Sequence, residues 1–275
     1  MITKHQLTEK LYPIQDAFLT NLKNRWFEES QKCCTLEQYV PVAQEWFQST
    51  KLNDIQGWEA FPCVDAIMGC THFIESLLLK HAFQVQVLPY EYAYYGLMGL
   101  HETQPGSLTA GVPLIVSLPN WHECDLRHNW NDILKECEVK GIDIHVDMAW
   151  ITTAKDICID LNHPNIKSFA MSISKYALTW NRVGLRWSRQ RTMDSITMFN
   201  KWQPGVNAGS MSCGVFMMHN IPRDYGWLTY GDLASKICTQ LDLRPTKMIH
   251  VARDLDDQSL WGIGKILGQQ TPLSI

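Results

Sequence analysis

Along the first part of the chain the apolar positions recur at helical spacing. Leu7, Leu11, Ile14, Phe18 and Leu22 fall at three- and four-residue steps, which puts them on one face of a helix. A second helix is predicted over Leu36–Phe47, ended by a loop around Asn53–Gly57. From Phe61 the pattern changes. A turn at Met68-Gly69-Cys70-Thr71 opens a helix predicted over His72–His81, and the apolar run Val85–Leu88 follows directly.

The middle of the chain alternates. Val112–Leu118, Ile142–Val146, Ile166–Met171 and Val183–Ser188 are continuous apolar runs of strand length, and Asn129–Lys140 between the first two has helical spacing with Gly141 as its stop. Buried strands joined by helical segments predict a three-layer α/β/α domain around a mostly parallel sheet. Asn120, Asp147 and Lys175 each stand just past the carboxyl end of a predicted strand, the edge at which open α/β sheets bind ligands. Pro204–Ser210 reads as a linker. Beyond it a helix is predicted over Leu228–Leu241, a strand over Lys247–Ala252 and a final helix over Asp256–Leu267. The expected division is a large domain with N-terminal helices over 1–205 and a reduced C-terminal segment over 206–275.

Composition narrows the class. The 275 residues are 45% hydrophobic and 19% charged, with a net charge of -4. That is the balance of a globular protein and gives no basic footprint for nucleic acid. No apolar run is long enough to span a bilayer, and the N-terminus lacks a signal-peptide pattern. Nine cysteines are scattered without a C-x-x-C pair, so neither zinc site nor disulfide framework is expected, and a reducing cytoplasm is the simplest location.

The strand ends also carry motifs. FAMSISKYALTWNRVGLRW (Phe169–Trp187) resembles the lysine motif of fold-type-I pyridoxal-phosphate enzymes, the aspartate aminotransferase superfamily. VDMAW (Val146–Trp150) is similar to their Asp-x-Ala-Tyr motif and SLPNW (Ser117–Trp121) to their Pro-Asn motif. With Gly69-Cys70-Thr71 and Tyr92, the resemblance spans roughly residues 60 to 190. Four motifs in family order are a stronger signal than any one alone.

The resemblance implies roles. Lys175 would form a Schiff base with the aldehyde of pyridoxal 5'-phosphate, Asp147 would pair with the pyridine nitrogen, and Asn120 would donate to the phenolic oxygen. Tyr92 would stack on the ring, with Tyr90, Tyr94 and Tyr95 as near alternatives. Cys70, Thr71, Ser172, Ser174 and Arg182 would hold the phosphate, a group suited to a helix N-terminus, hydroxyls and a guanidinium. Read only as residues, Lys175 could be a loop lysine, Asp147 a helix cap, Asn120 part of a turn and Arg182 a structural ion-pair partner.

Three departures stand out. Trp150 replaces the family's usual tyrosine, the Lys175–Arg182 gap is one residue shorter than the common pattern, and the C-terminal part is short. Arg253 is the local candidate for gripping a substrate carboxylate, with Arg244 behind it, although an ordinary ion pair is an equal reading. The group His122, Glu123, Asp125 and His128 matches no standard metal-ligand spacing, and Gly262-Ile263-Gly264 lacks the third glycine of a dinucleotide loop. The expectation is therefore an aminotransferase acting on an amino acid or related amine, as a homodimer. The alternatives are another pyridoxal-phosphate reaction, a decarboxylase or lyase, and a degenerate homologue that binds the cofactor without turnover.

Overall fold

The computed structural model describes residues 4–14, 16–29, 33–176, 178, 181–202 and 206–269. The first helix begins later than its periodicity suggests: α1 covers Ala17–Glu29. Pro13 lacks a backbone N–H, and the helix starts only where the Asp16 carboxylate accepts the Leu19 N–H at 2.6 Å. The other Asp16 oxygen accepts the hydroxyls of Tyr225 and Tyr230 at 2.7 and 2.6 Å. Helix α2 (Leu36–Gln48) matches its prediction, opened by Thr35 and Gln38 capping each other. The predicted loop after it is instead a short strand, β1 (Asp54–Gln56), which buries Ile55 and pairs with a distant segment.

From β2 (Cys63–Ile67) the chain enters α3 (Cys70–Lys80), then β3 (Gln86–Val87), the single turn α4 (Tyr94–Leu97) and β4 (Leu114–Ser117). Helix α5 (Trp130–Lys140), β5 (Ile144–Asp147), β6 (Cys158–Asp160), β7 (Ile166–Ser172) and β8 (Gly184–Ser188) follow. The main sheet has the order β2-β8-β7-β5-β4-β3. All its strands run the same way except β8, which is antiparallel to both neighbours. Both faces are covered. Ile115 and Ala170 point to a core shared with α3, whereas Val116, Val146 and Phe169 point to the larger core containing residues of α2 and α5. Alternation of adjacent side chains between two apolar layers explains why these strands are apolar throughout.

The C-terminal quarter departs further from its prediction. Helix α6 (Ser195–Lys201) is followed by α7 (Ala208–Asn220), which starts inside the predicted linker; residues 204 and 205 of that linker, and the expected boundary after 205, fall outside the described residues. Asn207 caps α7 by accepting the Ser210 N–H. Met211, Cys213, Met217 and Met218 are buried in the larger core with residues of α1 and α2. Helix α8 (Tyr225–Gln240) leads to a second sheet, β9 (Leu243–Pro245), β10 (Val251–Asp254) and β11 (Leu260–Gly262), ordered β11-β10-β9, and then α9 (Gly264–Gln269). The long final helix is thus a turn, a strand and a short helix. Gly262 pairs with Thr8, and a Cβ there would sit 2.4 Å from the Lys10 carbonyl oxygen. Among the described residues no helix is long and apolar enough to cross a membrane.

What matters for chemistry is the carboxyl edge of the parallel strands. Ser117, Asp147 and Ala170 are register partners across β4, β5 and β7. Ser172 pairs with Gly184 at the start of β8, and a Cβ on Gly184 would lie 2.1 Å from the Met171 carbonyl oxygen. Only glycine permits this approach.

Candidate active site

A cleft opens at that edge, lined by residues from α3, β4, β5, β7 and the loops that leave them. Nine of the eleven residues named above as cofactor or substrate contacts line it: Cys70, Thr71, Tyr92, Asp147, Trp150, Ser172, Ser174, Lys175 and Arg182. They come from four separate stretches of sequence. The short connections after parallel strands bring them together.

Asp147 ends β5 and is buried. Burial raises its pKa, opposed by the Ala149 N–H, which donates to Oδ1 at 2.9 Å, by the Cys70 thiol and by the charge of Lys175. Lys175 lies three residues beyond β7 and is partly buried. Its Nζ stands 3.5 Å from the centroid of the Trp150 ring, a cation–π contact. Burial brings the Lys175 pKa down to about 8, with Arg182 pushing the same way and Asp147 and Cys70 pushing back. The amine is therefore neutral in a useful fraction at near-neutral pH, as a nucleophile or base requires. Among the described residues neither Lys175 nor Asp147 makes an ion pair within 4 Å.

The hydroxyl side of the cleft is compact. Ser172 and Ser174 share a hydrogen bond of 2.7 Å, and Arg182 Nη1 donates to Thr71 Oγ1 at 3.2 Å. Thr71 lies in the first turn of α3, after Gly69, whose positive φ of 78 is a conformation that favours glycine. Cys70 is buried, its thiol pushed well up by desolvation and by neighbouring Asp147, and its Sγ lies 3.7 Å from the Ala170 carbonyl oxygen. Tyr92 is exposed at the mouth, stacked on Tyr94 at 5.8 Å. Tyr90 stacks on His122 instead, at 4.2 Å, and does not line the cleft.

Two of the eleven lie elsewhere. Asn120 is fully buried in a turn after β4: its Oδ1 accepts the N–H groups of His122 and Glu123 at 2.9 and 3.2 Å, and its Nδ2 donates to the Tyr90 carbonyl at 3.1 Å. It is not among the lining residues. The side chain is occupied by the turn, the reading that the residues alone left open. Arg253 is held by the carbonyls of His122 and Gln258 at 2.7 and 3.1 Å and lines a different basin.

Sequence reasoning missed three contributors. Ser117 and Trp121 line the cleft, and both sit inside the SLPNW motif, so their place in that motif was the available signal. His250 carried none. It is fully buried, stacks on Trp150 at 4.5 Å and 21°, and neither ring nitrogen has a hydrogen-bond partner. Burial and the charge of Lys175 hold its pKa down at about 3, so the ring backing Trp150 is neutral.

The donor set suits a flat cationic heterocycle carrying an aldehyde and a phosphate: an amine for the aldehyde, an unpaired buried carboxylate for a ring N–H, and hydroxyls with a guanidinium for the phosphate. No family model matches the sequence, and no curated protein matches it. Solved structures do. A probable N-succinyldiaminopimelate aminotransferase from Thermus thermophilus is similar at 15% identity over 94% of this chain and 80% of that one, with a TM-score of 0.59. An alanine aminotransferase from Pyrococcus furiosus gives 12% over 88% and 73%, with a TM-score of 0.60. A pyridoxal-phosphate-bound C-S lyase from Staphylococcus hominis gives 9% over 88% and 74%, with a TM-score of 0.55. The chain has the aminotransferase-like fold of the fold-type-I pyridoxal-phosphate proteins.

Proposed function

We propose that this protein binds pyridoxal 5'-phosphate at Lys175 and transforms an amino acid or related amine, most simply as an aminotransferase. The observation that carries the reading is the Lys175 amine, with its pKa drawn to about 8, sharing one cleft with the buried and unpaired Asp147. The fold supports it, since proteins of this shape include named aminotransferases and a C-S lyase.

Bound there, pyridoxal phosphate would supply an electrophilic aldehyde and a ring that accepts electron density. Lys175 is the amine that would hold the aldehyde, and, when free, it would be the base that takes a proton from the substrate Cα. Asp147 would hold a positive ring N–H by charge and hydrogen bond, which would offset the cost of its own burial. Ser172, Ser174, Thr71 and Arg182 receive the dianion. Tyr92 and Trp121 line the cleft, and the neutral His250 stacks on Trp150, whose ring lies under the Lys175 amine. A homodimer, a division near residue 205 and a cytoplasmic location belong to the same proposal.

A second reading, cofactor binding without turnover, is favoured by one observation. Arg253 lies outside the cleft, so Lys175 and Arg182 are the cations among the described lining residues that could meet a carboxylate.

One experiment separates the readings. Purified protein is mixed with pyridoxal phosphate, reduced with borohydride and mapped by mass, beside Lys175→Ala. The expected result is an adduct on Lys175 that vanishes in the variant, and keto-acid release with a donor from an amino-acid and amine panel. An adduct on another lysine, or none, overturns the cofactor assignment. A Lys175 adduct without reaction with any donor leaves binding and removes the aminotransferase.

A further inference from the structure

Along two segments, residues alternate between two spaces. Tyr92 and Trp121 line the Lys175 cleft, while Tyr90 and His122 line a second basin of about 710 Å³. Arg127, Arg244 and Arg253 supply the strong cations of this basin.

The three guanidinia are incompletely matched. Arg244 and Arg253 are direct register partners across β9 and β10, and like charges facing each other across an antiparallel pair repel. Their acceptors are neutral. Arg244 Nη2 donates to Gln258 Oε1 at 3.2 Å, and Arg253 donates to the carbonyls of Gln258 and His122. Among the described residues neither is ion-paired to a carboxylate within 4 Å. Arg127 is buried, pairs through Nη2 with Glu91 at 2.8 Å and leaves its Nε without a hydrogen-bond partner. The basin's one carboxylate among its lining residues, Glu123, accepts the N–H and ring nitrogen of His128 at 2.7 and 3.2 Å.

We propose that this basin binds a small multivalent oxyanion, carrying phosphate or carboxylate groups, at Arg127, Arg244 and Arg253, apart from the Lys175 cleft. An anion there relieves the repulsion between the opposed arginines and completes the donors that the neutral acceptors leave over. The Tyr90–His122 stack provides a flat aromatic wall beside those charges. Occupancy is felt in the cleft through a short path. Arg127 holds Glu91, whose Oε2 accepts the Ser117 N–H at 3.0 Å and whose carbonyl accepts Trp121 Nε1 at 3.1 Å; both partners line the cleft. An anion drawing on Arg127 loosens that pair.

The site does not depend on pyridoxal phosphate, and the test is run without it. Titration calorimetry of the full chain carrying Arg182→Gln, which silences phosphate binding in the cleft, uses inorganic phosphate and citrate separately, with sodium chloride at matched ionic strength as the blank. The expected result is saturable one-to-one binding of at least one anion. Adding Arg244→Gln weakens it about tenfold, the loss of one charge-assisted contact, whereas Lys167→Gln, outside the basin, leaves it unchanged. Arg244 is exposed and bonded only to Gln258, and a thermal melt confirms that its replacement folds. Preference for phosphate assigns a phosphorylated ligand, and preference for citrate a polycarboxylate. No saturable heat above the blank, or binding undiminished by Arg244→Gln, overturns the proposal and leaves the Lys175 reading untouched.

Discussion

Two buried meetings of cation and carboxylate lie on the same sheet, and they are built differently. Where β8 faces β2, Arg186 donates to Asp65 at 2.7 Å, to Asp194 and to Thr197 at 3.1 Å. Burial pushes the Asp194 carboxyl up, yet the Arg186 charge and the Thr197 N–H outweigh it and hold it below the usual range. At the carboxyl edge, Lys175 and Asp147 share a cleft without pairing, and each shifts toward its neutral form, the lysine down to about 8 and the carboxyl up. Matched charges brace a fold. Unmatched ones weaken it and stand ready for something that arrives later.

The contrast can be broken from either side. The largest effect is expected at the matched knot. Asp65→Ala leaves Arg186 short of a buried partner and should cost about 3–5 kcal/mol in a urea melt; a loss under about 1 kcal/mol would dissolve the distinction. In the cleft the sign reverses. Lys175→Met should stabilise the cofactor-free protein by up to about 3 kcal/mol at neutral pH, the equivalent of the depressed pKa. With its folded pKa near 8 and its unfolded pKa at about 10.4, Lys175 carries more protons in the unfolded chain between those values. Wild-type stability should therefore climb from roughly pH 8 to pH 10, and that slope should be missing in the variant. The smallest effect sharpens the picture. Trp150→Phe weakens the cation–π contact and should lower the Lys175 pKa by about half a unit, read from the pH dependence of acylation of Lys175 in cofactor-free protein. An upward shift would mean that Trp150 acts mainly by excluding water.

The parts of this molecule that were legible in sequence are those where local pattern and tertiary demand agree. Ile144–Asp147 and Ile166–Ser172 are apolar because both faces of the sheet are covered, so their runs announce them and the polar residue that ends each one. Helix α7 was hidden because it is apolar on all sides and rich in glycine, serine and methionine, leaving no stripe to detect. The N-terminal periodicity belongs only in part to a helix: Leu7 and Ile14 are buried before it begins, Leu22 is buried within it, and Phe18 is exposed. Of the three polar residues read from strand ends, Asp147 and Lys175 line the cleft. Asn120 obeyed its own turn, and His250 reaches Trp150 from a hundred residues away, a contact that spacing cannot announce.

The single reversed strand has one further consequence. Because β7 runs into the cleft and β8 leaves it, Lys175 and Arg182 lie in sequence between two antiparallel strands whose ends meet where Ser172 pairs with Gly184. A two-residue slip of β8 would carry the guanidinium about 7 Å from Thr71, while Lys175 stayed at its post. The bare hydrogen at position 184 therefore acts as the pin of a clasp, keeping the amine and the guanidinium at a set span.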